Sequence, residues 1–444
     1  MKKVFDRVER LIAKKGVEDF EISALKSSRV TVESKDGKAD FISDSESSSF
    51  AVRLLKRKRL GYAYSMSDDD ASLSAMVDGA VFAASYQDED ESALLPDGPH
   101  EYPDVAVSIA TKPADLDSKV DFAVNLEMLT RKKDERIRNV RYATLRETFS
   151  SFHIKSSRGI QGEYEKSLYL AYVYAVAEEK GQSETGFGLG FAGTFEEMEN
   201  LKENVAEDAA RRGLRMLGAR RIKTGKYPVI VENGAMTELL GVLVPSVNGR
   251  NIALGKSMLA GSRGRKVFSR EINIVDNPLM EKGAGTCPFD GEGVRSRKVD
   301  IVTEGVCKKY LVDSYWGGKL GTGTTASLRR ENFKTGPEIG ISNLYIEPGV
   351  ANLEDIFREL NRGILLTGFM GIHTADPVSG DFSVGASGIF FDGGKKQYPV
   401  RTFAVSGNIV GLMARVQTTG NDLEMFGNIG SPSIAFEFID VGGE

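Results

Sequence analysis

Few residues of this chain are of a type and in a setting to do chemistry. In GAMTELLGVLVP, residues 234–245, one carboxylate, Glu238, stands among Met236, Leu239, Leu240, Val242, Leu243 and Val244. An ionised carboxylate enters apolar surroundings only when a cation, a metal or several donors hold it, so Glu238 is the first candidate for an acid or base. His100, His153 and His373 are the only histidines, and Cys287 and Cys307 the only cysteines. No two of them lie at helix-turn or CxxC spacing, so no local metal pair is written in the sequence. His373 lies with Asp376 in GFMGIHTADPVSGDFSVGASG, but no GxSxG elbow accompanies them to supply a nucleophile. Tyr315 and Trp316 lie in DSYWGGKLGTGTTASLRR. Aromatics among glycines and hydroxyls suit a binding loop whose free backbone groups pair with an extended peptide, with a structural loop as the alternative.

Two further patterns read as architecture. Gly188, Gly190 and Gly193 spell GxGxxG between a strand and a helix. The strand ahead reads as antiparallel, however, and Arg211 and Arg212 stand where a ribose-binding acid belongs, so a flexible glycine turn is expected in place of a dinucleotide loop. The run Lys56–Arg59 falls between two strands and reads as a solvated hairpin tip, since four charges give only weak, salt-sensitive nucleic-acid affinity.

Alternation and helical spacing supply the elements that must carry these residues. Val4, Phe5, Val8, Leu11 and Ile12 recur at helical spacing before Gly16. Strand-like DFEISALKS, RVTVES, SFAVRLL and LGYAYS follow, and Ser67 is the expected N-cap of a helix beginning DDDASLSAM. A proline-bearing surface connection covers 95–113, and a helix is expected near Leu116–Arg138. Two alternating strands, VRYATLRETFSSFHIKSS and GEYEKSLYLAYVYAVAEE, precede a helix over Phe195–Leu217. The basic stretch 218–228 reads as a linker. The expected class is α+β: an N-terminal antiparallel sheet with helices over 1–221, then a β-rich, barrel-like domain over 222–444.

With 58 Lys and Arg against 63 Asp and Glu, the net charge of −5 argues against non-specific binding to nucleic acid. Asp6 and Glu9 interrupt the first apolar residues, which excludes a signal peptide there. The longest nearly apolar stretch, from Gly363, is too short to span a bilayer. A cytoplasmic protein without membrane association is the expectation.

YLVDSYWGGKLGTGTTASLRR, GIHTADPVSGDFSVGASGIFF and NDLEMFGNIGSPSIAFE resemble the TldD/PmbA family, once called modulators of DNA gyrase, and within it the PmbA branch, also termed TldE. The likeness runs over essentially the whole chain. It implies a subunit of a cytoplasmic metallopeptidase that acts on peptides and unfolded segments, paired with a zinc-bearing TldD-type sister or, without one, with a second copy. The sister branch carries His-Glu-x-x-x-His with a later cysteine as third ligand. Carried onto this chain, Thr237 and Val242 stand at the histidine positions and Phe426 at the cysteine position, while Glu238 persists. The resemblance therefore implies no bound metal or other cofactor, a relic general base, and a chain inactive on its own. Apolar Val242 and Phe426 are expected to fill the space of the lost site, because an empty polar cavity costs more than a packed one. Tyr315, Trp316, His373 and Asp376 are the expected peptide-channel residues. The alternatives are a regulator that binds a DNA topoisomerase or another protein, and a hydrolase with an unrecognised site.

Overall fold

Strict alternation in the first half builds one antiparallel sheet from strands β1 (Asp19–Lys35), β2 (Lys38–Lys56), β3 (Arg59–Ser65), β4 (Ile137–Ser156), β5 (Gln161–Glu179) and β6 (Gln182–Ala192). Their order is β3-β2-β1-β4-β5-β6. The computed structural model describes residues 1–105, 113–331 and 333–443; within the connection expected over 95–113, residues 106–112 lie outside the described residues. Helices α1 (Lys2–Ala13), α2 (Asp70–Ser85), α3 (Leu116–Lys132) and α4 (Phe195–Leu214) accompany the sheet. In β5 the odd-numbered Tyr169, Ala171, Val173 and Ala175 are buried in one core with Phe122 and Leu126 of α3 and Val205 and Ala209 of α4. The period of two turns Tyr164, Lys166 and Leu168 to the opposite face.

Several expectations shift by a few residues for local reasons. The N-cap of α2 is Asp69, not Ser67: its carboxylate accepts from Ser72 N at 2.9 Å, while Ser67 Oγ donates to Asp69 at 2.7 Å. The Ser72 hydroxyl, which donates to Asp69 at 2.6 Å, together with those bonds holds the Asp69 carboxyl far below its usual range. The third helix stops at Lys132, before the expected Arg138, because Ile137 already pairs with Ala177 as strand. The basic run is the tip of the β2–β3 hairpin, with Arg57 and Lys58 at φ 51° and 57°, as a two-residue turn between twisted strands requires. Of the glycine run, only Gly193 lies in the bend between β6 and α4. Gly186, Gly188 and Gly190 lie inside β6, and a Cβ on Gly188 would sit 2.0 Å from the Val205 carbonyl oxygen. Helix α4 rests on bare backbone there, so these glycines serve close packing and not flexibility.

The second half closes a barrel. Strand β7 (Gly225–Val231) pairs parallel with Gly363–Met370 and antiparallel with Ile434–Gly442. Asp381–Asp392 and Lys395–Asn408 continue the sheet, which shuts where Ala404, Val405 and Ser406 meet Gly442, Val441 and Asp440. Closure removes the free edges that a β-rich half would otherwise present. Helix α5 (Asn233–Val247) follows β7 and buries Met236, Leu239, Leu240, Leu243 and Val247 in one core with Val229, Leu366, Phe382 and Phe436. A smaller sheet of six short strands, Glu424–Phe426 at one edge, lies beside it.

The two halves are joined by buried charge. Arg53 of β2 donates to Glu21 of β1 at 2.7 Å and to Glu292 of the second half at 2.9 Å. Arg330 closes the set, donating to the other Glu21 oxygen and, through Nε, to Gly291 O at 2.6 Å. All four side chains are at most 5% exposed. Removing one member strands its partners without water, which costs far more than the intact set contributes. Arg53→Met is expected to lower unfolding stability by about 3–5 kcal/mol, read from urea midpoints of wild type and variant; an unchanged midpoint would place the coupling of the halves elsewhere.

Candidate functional site

Helix α5 is held at its start from the first half of the chain. Arg215, just past α4, makes a two-pronged pair with Glu232, the residue ahead of α5, at 2.6 and 2.7 Å. From there the helix is buried on one side only. Gly234, Thr237, Glu238, Gly241, Val242 and Pro245 are all partly accessible, and their 3–4 residue spacing makes them one stripe. The sequence left Glu238 no polar face; the structure gives it the edge of this stripe. Pro245 has no N–H for the Gly241 carbonyl, so the last turn is weakened there.

Glu238 is half-buried, with the backbone N–H of Phe369 on the barrel strand Gly363–Met370 as the donor that acts on its carboxyl. Burial pushes its pKa up to about 7, with that N–H as the only opposing influence. A carboxyl poised there exchanges protons readily at neutral pH. What surrounds it is a poor donor set for a metal. The Thr237 hydroxyl already donates to Gly234 O at 2.7 Å, and Val242 has no donor atom. The Phe426 ring lies where a Cβ on Gly234 would be 3.3 Å away, with the Arg212 guanidinium 5.8 Å from its centre. Phe426 thus covers the first turn of α5, with Thr237 and Glu238 one turn further on. A Cβ on Gly241 would meet nothing within 4 Å, so the stripe is open at that point. Among the described residues no three His, Cys, Asp or Glu side chains are grouped to hold a metal ion. The residues present do not fit a zinc.

The other candidates fall into two places. His373 is exposed on the turn Ile372–Thr374 after the barrel strand Gly363–Met370, and that loop docks on α5, where Ser246 Oγ donates to Pro377 O at 2.9 Å. Asp376 is exposed, and its carboxylate accepts from Val378 N at 2.7 Å and Ser379 N at 3.3 Å. Those two donors lower its pKa; it shapes its own loop. Tyr315 and Trp316 belong to the short helix Ser314–Lys319 at the junction of the halves. Tyr315 donates to Asp90 at 2.6 Å, Lys319 pairs with Asp90 at 2.8 Å, and the Lys319 ammonium lies 4.6 Å from the Tyr315 ring centre. This cluster borders a cavity of about 500 Å³ that Arg53 also lines.

Sequence reading missed a cleft between β5 and the second half. Tyr164, Lys166, Cys287, Asp290, Arg329 and Phe426 border a cavity of about 500 Å³, and Lys166 and Phe426 also border a neighbouring one of about 300 Å³. Burial pushes the Lys166 pKa down to about 8. Burial and the Glu292 charge push Asp290 up to about 7, although its carboxylate accepts from three backbone N–H groups, of Glu292, Val294 and Leu328. The available signal was Lys166 itself, a charge in phase with Tyr164 and Leu168 on an alternating strand.

Comparison with known proteins agrees over the whole length. Models of the PmbA/TldA metallopeptidase match as domain 1 over residues 20–84, central domain over 110–217 and C-terminal domain over 224–443. Metalloprotease PmbA of Escherichia coli O157:H7 is 26% identical over 429 residues, 96% of this chain and 92% of that protein. The crystal structure of TldE from Thermococcus kodakarensis covers 98% of this chain and 100% of its own, with a TM-score of 0.87 at 24% identity. A Thermotoga maritima structure, named as a candidate modulator of a DNA gyrase, covers 99% and 100% with a TM-score of 0.91 at 24% identity. These structural likenesses carry the fold.

The raised pKa of Glu238 has a pH signature. Its ordinary value is 4.5, so as pH rises the unfolded chain ionises first and the folded chain holds its proton longer. The contribution of this group to stability is complete below pH 4.5, fades between there and about 7, and is absent above that. Glu238→Gln is neutral throughout and lacks this term. The variant is expected to gain stability relative to wild type between about pH 5 and about pH 8, read as the difference of urea midpoints; a difference constant across that range rejects the burial of this carboxyl.

Proposed function

Because the chain belongs to the PmbA/TldD metallopeptidase family, we propose that it is the non-catalytic subunit of a family peptidase in the cytoplasm, holding peptide or unfolded segments for a zinc-bearing TldD-type sister chain. The observation that carries this reading is the setting of Glu238: a carboxyl of suitable pKa on an accessible helix face, with threonine, valine and phenylalanine in place of metal donors. A general base without a metal-bound water has little to activate at neutral pH. Thr237, Val242 and Phe426 then mark a lost ligand set, and Tyr315, Trp316, His373 and Asp376 are channel-side residues of the assembled pair.

Two features support a partner chain and an extended substrate. Residues 38–49 of β2 pair with β1 on one edge, and among the described residues no strand pairs with the other. That edge carries Phe41 and Ile42 at 53% and 45% exposure, and a long open edge with exposed apolar side chains favours strand pairing with another chain. Among the described residues, no helix is long and apolar enough to cross a membrane, and the acidic balance gives no footprint for direct DNA binding.

The purified chain is expected to leave unstructured casein intact and to hold no stoichiometric zinc by elemental analysis. Adding the zinc-bearing sister from the same source is expected to give hydrolysis above that of the sister alone, together with a complex by size exclusion. Casein cleavage by this chain alone, or about one tightly held zinc per chain, would overturn the reading.

A further inference from the structure

Most buried charge in this chain is paired; Lys166 is the exception at the cleft. Its ammonium donates to the carbonyl oxygen of Ala284 and lies 3.5 Å from that of Thr286. Among the described residues the charged or ionisable groups that act on it are Cys287 and Arg329, and no carboxylate pairs with it. Arg329, across the same cavity, is committed through Nε to Ile341 O at 3.1 Å, while its buried Nη2 has no hydrogen-bond partner and stands 3.7 Å from Asp276. Of the two acids in the lining, Asp290 spends its oxygens on three backbone N–H groups and Glu331 is exposed. The cavity of about 500 Å³ therefore presents the Lys166 ammonium without a carboxylate partner, beside an Arg329 paired at 3.7 Å with Asp276, between walls that include Phe152, Phe191 and Phe426.

A largely buried ammonium with no carboxylate partner, beside apolar walls, selects a ligand with one anionic end and an apolar body. A phosphate would call for more converging donors than one ammonium and part of one guanidinium. A single carboxylate matches that donor number. Lys166 also borders the neighbouring cavity of about 300 Å³ and one of about 360 Å³ over the serine-rich middle of β1, β2 and β4, so a chain anchored at the ammonium has room to run away from it. We propose that this cleft binds the terminal α-carboxylate of a peptide whose last side chain is apolar, with Lys166 as its anion partner and the phenylalanines as the wall of the side-chain pocket. This deepens the peptide-holding role proposed above and rests on it. Phe426 stands between this pocket and the first turn of α5, which places the held carboxylate on the opposite side of that ring from Glu238.

The test is calorimetry on the full chain, without a sister subunit, using an N-acetylated tripeptide ending in phenylalanine and the same peptide as its C-terminal amide. The acid is expected to bind about tenfold or more tightly than the amide. Lys166→Met is expected to abolish that preference and Lys166→Arg to keep most of it. The acid–amide comparison on wild type needs no variant, so it stands even if Lys166→Met folds poorly. Equal affinity for acid and amide, no binding of either, or a preference that survives Lys166→Met overturns the carboxylate site. Because the sister is absent, each of those results leaves the paired-proteolysis reading intact, and failure of paired proteolysis leaves this binding result standing.

Discussion

The arrangement depends on the four-membered buried set of Glu21, Arg53, Glu292 and Arg330. Two acids and two bases cancel in charge, and their hydrogen bonds run from Glu21 and Arg53 on the first sheet to Glu292 and Arg330 of the second half. Such a set adds little net stability over a packed apolar junction, since both signs of charge are desolvated to form it. What it adds is register, because charged donors and acceptors are satisfied in one docking geometry only. Glu292 extends the constraint by accepting from Ser314 N at 2.8 Å, which fixes the first residue of the helix that carries Tyr315 and Trp316. The cleft between β5 and the second half is held at its width by the same junction.

Helix α5 shows how one element serves both the barrel and the open face. Its apolar side completes the barrel core, and its start is pinned by Arg215 through Glu232. The stripe with Gly234, Glu238, Gly241 and Pro245 is left with small or ring residues that let neighbours approach. Phe426 takes that space over the first turn, and the His373 loop takes it at the far end through Ser246. Glu238, between them, is buried enough to raise its pKa and open enough to reach protons. The elevated pKa comes from burial beside one backbone donor and needs no charged neighbour.

What was legible in the sequence was what local physics decides. The strands of the first sheet follow from period-two alternation, the hairpin tip at Arg57 and Lys58 from charges between two strands, and the barrel-like second half from short strands and glycines. The Asp69 cap was misplaced by two residues because serine and aspartate compete equally well for that role. The close packing of Gly188 against α4 was unreadable, since a glycine reserved for a neighbour's backbone has the same letter as one reserved for a turn. Contacts across long separations were hidden for the same reason. Nothing near Glu21 announces a partner 309 positions later, and the cleft around Lys166 draws on segments from the first sheet and from 284–291, 328–331 and 426–428. Only the phase of Lys166 along β5 carried a trace of it.

The chain treats buried charge in two opposite ways, and the contrast is informative. At the junction every charge has its counter-charge, although Arg53 and Arg330 also border cavities. At the cleft Lys166 has carbonyl oxygens alone, and such dipoles offset only part of the cost of burying an ammonium, as its lowered pKa records. A ligand that brought the missing negative charge would recover the remainder. The cleft does not depend on the stripe of α5 for its shape, because the Phe426 ring already seals the boundary between them. The setting of Glu238 on the helix face and the cleft behind Phe426 are therefore physically separable, as the proposed division between holding a peptide and cutting it would require.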